Sequence, residues 1–306
     1  MRNSNELSAK IADLKQKRKA VILVHNYQLG EVQDIADFVG DSLELSRKAA
    51  TTGAEIIVFC GVHFMAETAS ILNPNKIVLL PDKNAGCPMA DMITANALRK
   101  KKQELLDIPV VCYVNSSAEV KAESDVCCTS ANAIEVVNSI DYNTVIFVPD
   151  KYLGHYVSTK TDKEIILWPG YCPTHAKILP EHILQRKKEY PQAKIVVHPE
   201  CQPAVIALAD AVLSTSGIIK FARESETTQI IVGTEIGIMH RLKKDCPDKQ
   251  FIPVSEQAIC PNMKKITLEK IFWSLEDLSC RVKVPEDIRV RAKASVDRML
   301  KIGNSD

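Results

Sequence analysis

AVILVHNYQLGEVQDIADFVGDSLELS, residues 20–46, reads as a strand, a short helix, a second strand and the start of another helix. VILV is apolar without alternation, the pattern of a strand covered on both faces. His25 and Tyr27 close it, two residues apart on an extended segment, so their side chains point the same way. Asp37 follows, then the short strand FVGDS. Ser42 is expected at the N-cap of the helix LELSRKAATTG (43–53), with Gly53 at its stop.

The same spacing recurs twice. VILVHNY (21–27), VVCYVNS (110–116) and IVVHPEC (195–201) precede Asp37, Asp125 and Asp210. Twelve residues before each Asp stand His25, Tyr113 and His198; ten before stand Tyr27, Asn115 and Glu200; five after stand Ser42, Ser130 and Thr215. Further strands follow in register: EIIVFCG (55–61), NTVIFVP (143–149) and TQIIVGT (228–234). Each unit ends in Cys-Pro, at Cys87, Cys172 and Cys260, separated by 85 and 88 residues. Repeats of that length are whole small domains. The expected fold is α/β: three homologous units, each a short parallel sheet covered by helices, whose polar strand ends meet in one place if the units are set about a pseudo-threefold axis. The expected boundaries are 1–88 plus 262–306, 89–173 and 174–261. The opening helix and the tail patterns ITLEKIFWSLEDL and PEDIRVRAKASVDRMLKI are expected to pack on the first unit.

Composition narrows the function. The 306 residues carry 39 Lys plus Arg against 38 Asp plus Glu, so no global basic field exists to hold nucleic acid. Apolar runs fall far short of the ~20 residues of a membrane helix. The polar N-terminus lacks an uninterrupted apolar stretch, so no secretory signal is expected, and the chain reads as cytoplasmic. There are ten cysteines and no CxxC, so any metal ligands must converge from distant segments.

In open parallel sheets, ligands bind beyond the carboxyl ends of the strands. The repeated polar residues sit there. Singly, a hydroxyl at a helix start is a cap and a histidine at a strand end is structural. The threefold recurrence, with the residue types diverging between units, points to one shared site with specialised roles. Hydroxyls and free N–H groups at helix starts suit small anions. Three converging thiolates suit zinc or an iron–sulfur cluster, and an open fourth position makes the metal a Lewis acid. The opposite reading of each Cys-Pro is a strand end with a small buried thiol. Cys60 and Cys112 are expected in the core, Cys127 and Cys128 partly accessible, Cys201 a spare thiol near the site. Lys151 is either a phosphate contact or a solvated lysine. Glu200 is a candidate general base if burial tunes its pKa. No GxGxxG follows the first strand and no GxxxxGK[ST] is present, so nucleotide binding is not supported.

HNYQ (25–28), GDSLELS (40–46), CGVHFMAETA (60–69), LLPDKNAGCPMAD (79–91), YVNSSAE (113–119), CTSANA (128–133), VPDKYLG (148–154), WPGYCPTH (168–175), HPEC (198–201), GTEIGIMHRL (233–242) and ICPNMKK (259–265) resemble, in order, the motifs of the quinolinate synthase A family. The resemblance implies three homologous α/β/α (three-layer) domains with short parallel sheets around a pseudo-threefold axis, the active site at the centre, and a transferase of NAD biosynthesis that condenses iminoaspartate with dihydroxyacetone phosphate to quinolinate, releasing phosphate and water. It implies a [4Fe–4S] cluster on Cys87, Cys172 and Cys260, whose open iron is the Lewis acid. It implies a site lined by His25, Tyr27, Ser42, Tyr113, Asn115, Ser130, His198, Glu200, Ser214 and Thr215. Tyr27, His198 and Glu200 are then the proton-transfer candidates. An aspartate-oxidising enzyme would supply iminoaspartate. A lid or domain closure is expected because that substrate hydrolyses in water. Some members carry a CxxCxxC near the third ligand; this chain has Cys260 alone there. Two alternatives differ in class: another three-cysteine iron–sulfur hydratase or a zinc lyase, and a non-enzymatic iron–sulfur sensor or carrier.

Overall fold

The structure, a computed structural model, describes residues 2–302. The expected first unit therefore includes residues 1 and 303–306, which lie outside the described part. Three four-stranded sheets are present, and all their strand pairs are parallel. The first holds β1 (Ala20–His25), β2 (Phe38–Gly40), β3 (Ile56–Cys60) and β4 (Ile77–Leu79) in the order β2-β1-β3-β4. The second holds β5 (Val110–Tyr113), β6 (Val126–Cys128), β7 (Thr144–Val148) and β8 (Glu164–Leu167). The third holds β9 (Lys194–Val197), β10 (Ala211–Val212), β11 (Gln229–Gly233) and β12 (Gln250–Pro253). Their orders, β6-β5-β7-β8 and β10-β9-β11-β12, repeat the first. Strand centres are fully buried, as at Ile22, Leu23, Val58, Val111, Phe147 and Val196. Each such side chain contributes ~1.5–3 kcal/mol of burial energy.

The recurrent aspartates hold the strands. Asp37, Asp125 and Asp210 accept the backbone N–H of Ile22, Val110 and Ile195, each at 2.8 Å through Oδ2. Each also returns its own N–H to the carbonyl of the same partner. The spacing that reveals the repeat thus marks a pin of the first strand of each sheet.

Helices cover the sheets. The opening helix α1 (Arg2–Lys17) is followed by α2 (Gly30–Asp34), α3 (Ser42–Thr51) and α4 (His63–Leu72) in the first unit. The second contains α5 (Ala95–Glu104), α6 (Ala118–Ala122), α7 (Ala133–Asn138) and α8 (Lys151–Ser158). The third contains α9 (Pro180–Glu189), α10 (Pro203–Ile206), α11 (Thr215–Glu224) and α12 (Ile238–Asp245). The tail forms α13 (Leu268–Asp277) and α14 (Glu286–Lys301). Helix α13 packs on α1, but α14 lies mainly along α6 and β6. Ser295 Oγ donates to the Lys121 carbonyl at 2.8 Å, and Arg298 to that of Asp125 at 2.8 Å. The expectation that the whole tail packs on the first unit does not describe α14, whose apolar face (Ala292, Val296, Met299) covers the second.

Two further expectations are corrected. Asp41 caps α3, accepting from Leu43 and Glu44, and Glu44 completes a capping box. Ser42 is the first helical residue, and its hydroxyl is not the cap. Cys127 and Cys128 are fully buried rather than partly accessible, and Cys201 is fully buried as well. No helix among the described residues is long and apolar enough to cross a membrane.

Candidate active site

The carboxyl ends of the three sheets border one cavity of ≈ 180 Å³. Pockets for drug-sized ligands are ~300–1,000 Å³, so this one fits small molecules. His25, Tyr27 and Ser42 reach it from the first unit, Tyr113, Asn115 and Ser130 from the second, and His198, Glu200 and Thr215 from the third. Cys87, Cys172 and Cys260 line it too. Of the expected residues, Ser214 alone lies outside the lining. Its hydroxyl accepts from Gly217 N–H at 3.2 Å and donates to Asp41 at 3.2 Å, the work of an N-cap. Asp41 and Ser214 cap their helices, while Ser42 and Thr215 face the cavity, which Asp41 borders as well.

Each Cys-Pro opens a tight turn into a one-turn 3-10 helix, at Ala90–Met92, His175–Lys177 and Met263–Lys265. Proline has no N–H, and the amides beyond it turn to the sulfur. The Cys87 sulfur faces the N–H groups of Met89 and Ala90, that of Cys172 the N–H of His175, and that of Cys260 the N–H groups of Asn262 and Met263. Burial pushes the Cys87 thiol up to about 12, and the Cys172 and Cys260 thiols also rise. Positive charge from a bound metal offsets that effect, and backbone N–H donors to sulfur suit metal thiolates. The donor set, three soft sulfurs with one from each unit, fits a metal centre.

Next to Cys172 runs a continuous hydrogen-bonded chain. The Tyr27 hydroxyl is 2.6 Å from Thr234 Oγ1, which is 2.8 Å from His175 Nε2. His175 Nδ1 is 2.7 Å from Glu200 Oε2, and Glu200 Oε1 accepts from the Tyr113 hydroxyl at 2.6 Å and from Asn115 at 3.3 Å. His175 Nδ1 is also 3.2 Å from Cys172 Sγ. Ligand atoms of Cys172, His175 and Glu200 all lie within 4.8 Å of one another. Burial opposes the Glu200 charge, but His175 at 2.7 Å and the hydrogen bond from the Tyr113 hydroxyl outweigh it and hold the carboxyl well below its ordinary range.

The two strand-end histidines share one device. His25 Nδ1 accepts the Tyr27 N–H at 3.2 Å, and His198 Nδ1 accepts the Glu200 N–H at 3.3 Å. With Nδ1 accepting, the neutral ring carries its proton on Nε2. Burial lowers both imidazoles to about 3, so both are neutral at pH 7. His198 Nε2 is 3.1 Å from Ser130 Oγ, and the ring stacks on His175 with centroids 4.8 Å apart. Burial raises the Tyr27 and Tyr113 hydroxyls well above their usual value, so both keep their protons.

Sequence reasoning passes over His175, Thr234 and Lys177. The signal was three residues beyond Cys172, where a 3-10 turn returns His175 to the sulfur's side. Lys177, exposed at the cavity wall, supplies a positive charge. Lys151 does not line the cavity; its Nζ sits 4.9 and 5.0 Å from the Tyr152 and Tyr171 ring centres.

A threefold α/β scaffold closing a small, hydrogen-bonded cavity over three cysteines defines an enzyme for small polar substrates. The sequence matches the family described as quinolinate synthetase A protein over residues 9–301. It is 62% identical over 296 residues to the quinolinate synthase of Dehalococcoides mccartyi, covering 97% of this chain and 98% of the relative. It is 57% identical over 298 residues to that of Desulforudis audaxviator, and 55% over 297 residues to quinolinate synthase 1 of Methanosarcina acetivorans, each covering 97% of this chain and 98% of the relative. The chain belongs to the quinolinate synthetase A protein family.

Proposed function

We propose that this transferase condenses iminoaspartate with dihydroxyacetone phosphate in the cytoplasm, yielding quinolinate, phosphate and water for NAD biosynthesis. An aspartate-oxidising enzyme supplies the first substrate. Cys87, Cys172 and Cys260 hold a [4Fe–4S] cluster. When bound, the cluster supplies a Lewis acid through the iron that has no protein thiolate. The observation that carries this reading is the convergence of three Cys-Pro turns, one per unit, on one small polar cavity.

The chain's own groups supply the rest. His198, with its proton on Nε2, and the hydroxyls of Ser42, Ser130 and Thr215 donate to anionic oxygens without adding charge. His25 presents the same tautomer to the cavity. Glu200, ionised and fixed on both oxygens, takes a proton from a substrate carbon or nitrogen. His175 and Thr234 connect it by hydrogen bonds to the Tyr27 hydroxyl, the second proton-transfer group at the cavity. Burial keeps bulk water from the labile imine. Iron and acid-labile sulfide, measured on protein purified without oxygen, test the reading beside a Cys172→Ala variant. About four of each per chain, lost in the variant, together with quinolinate formation from the two substrates, is the expected result. Zinc, or full metal content in the variant, would sink it.

A further inference from the structure

Glu235 follows β11 and is fully buried, an unusual place for a carboxylate. Its Oε1 accepts the backbone N–H of Cys260 at 3.0 Å, and its Oε2 that of Gly237 at 2.7 Å. Lys264 Nζ lies 2.9 Å from Oε1 and also donates to the backbone carbonyl of Tyr27. One ion pair therefore joins the loop after β11, the Cys260 turn and the end of β1. The close approach is built in. A Cβ at Gly237 would stand 2.5 Å from the Tyr27 carbonyl oxygen and 2.6 Å from Lys264 Nζ. Thr234, beside Glu235, holds the Tyr27 hydroxyl, so Tyr27 is fixed at its backbone and at its tip.

A buried ion pair contributes little net stability compared with apolar side chains of the same shape. The pair's contacts explain it better. We propose that Glu235 and Lys264 form a positioning strut that sets the Cys260 sulfur relative to the Tyr27 hydroxyl across the first and third units. Both carboxylate oxygens are taken by protein donors, which makes Glu235 a positioning residue. The inference rests on reading Cys260 as a cluster ligand.

Wild type, Glu235→Gln, Lys264→Met and Lys264→Arg are purified without oxygen. Iron and sulfide content, the electron paramagnetic resonance spectrum of the reduced cluster, kcat and KM are measured on each. Glu235→Gln and Lys264→Met are expected to load the cluster but show a shifted spectrum. Their kcat falls by about tenfold to a hundredfold with KM nearly constant, the cost of a small misplacement. Lys264→Arg, which keeps the cation, recovers most of both. Glu235→Gln is isosteric and answers for Lys264→Met if the latter fails to fold. Wild-type spectra and kcat in the folded variants, even with lowered melting temperatures, would assign the pair to stability alone and overturn the strut. A wild type without iron and sulfide sinks the cluster reading and the strut with it; a loaded wild type with unaltered variants sinks the strut alone.

Discussion

Glu200 shows how much one side chain carries here. It accepts from Tyr113 and Asn115, pairs with His175, and sits 4.0 Å from His198 Nδ1. Glu200→Gln keeps the volume and removes the base. Its kcat should fall by ~10²–10⁴-fold, with the circular dichroism spectrum unchanged; turnover near wild type would place the base elsewhere. His25 makes a pH prediction. Burial is the main cause of its low value, opposed by the Glu200 charge and assisted by that of Lys264. At His198, burial again leads, Glu200 opposes, and His175 and His25 assist. As pH falls below about 6.5, the unfolded chain takes up protons at these rings and the folded protein does not. Their stabilisation is complete above about 6.5 and shrinks progressively toward about 3. The melting temperature of metal-free His25→Gln should therefore vary less between pH 6.5 and 4 than that of wild type. Equal slopes would show that the ring is not held neutral.

At the scale of elements, the pins are testable. Asp210→Ala removes a charge-assisted bond to Ile195 N–H whose carboxylate is one-third exposed. A loss of about 1–2 kcal/mol is expected, read as a lower urea midpoint with an unchanged slope and an unchanged kcat. A large loss of kcat would move this aspartate into the site. The strands and the repeat were legible because a doubly covered strand is apolar without interruption, as in VILV, and because duplication kept the spacing. The division of labour at the helix starts was not. Ser42 and Asp41 are both good caps by type, and only the geometry shows that Asp41 takes the amides. Ser214 was placed in the site by the family resemblance alone, and its hydroxyl accepts the capping amide of Gly217 beside Thr215. His175 was hidden because its partners, Glu200 and Thr234, are remote in sequence.

Over the whole molecule, the convergence of three units was readable from counting, whereas the path of the tail was not. An amphipathic helix declares a buried face but not what it is buried against. Helix α14 spans from α4 of the first unit to α6 and β6 of the second, and its Ser295 also meets Cys127. Deleting residues 286–306 should uncover the α6 and β6 surface that α14 packs on and yield protein that binds a hydrophobic dye and aggregates; a monomeric, dye-silent product would show that α14 is dispensable. The same helix sets a schedule for the growing chain. β6 is finished at Cys128, but its cover ends at Lys301. At ~5–20 residues per second, the ribosome takes on the order of ten to thirty seconds to deliver it. The middle unit emerges ahead of α14 and waits half-clothed until that helix follows it, the interval in which a chaperone would find it.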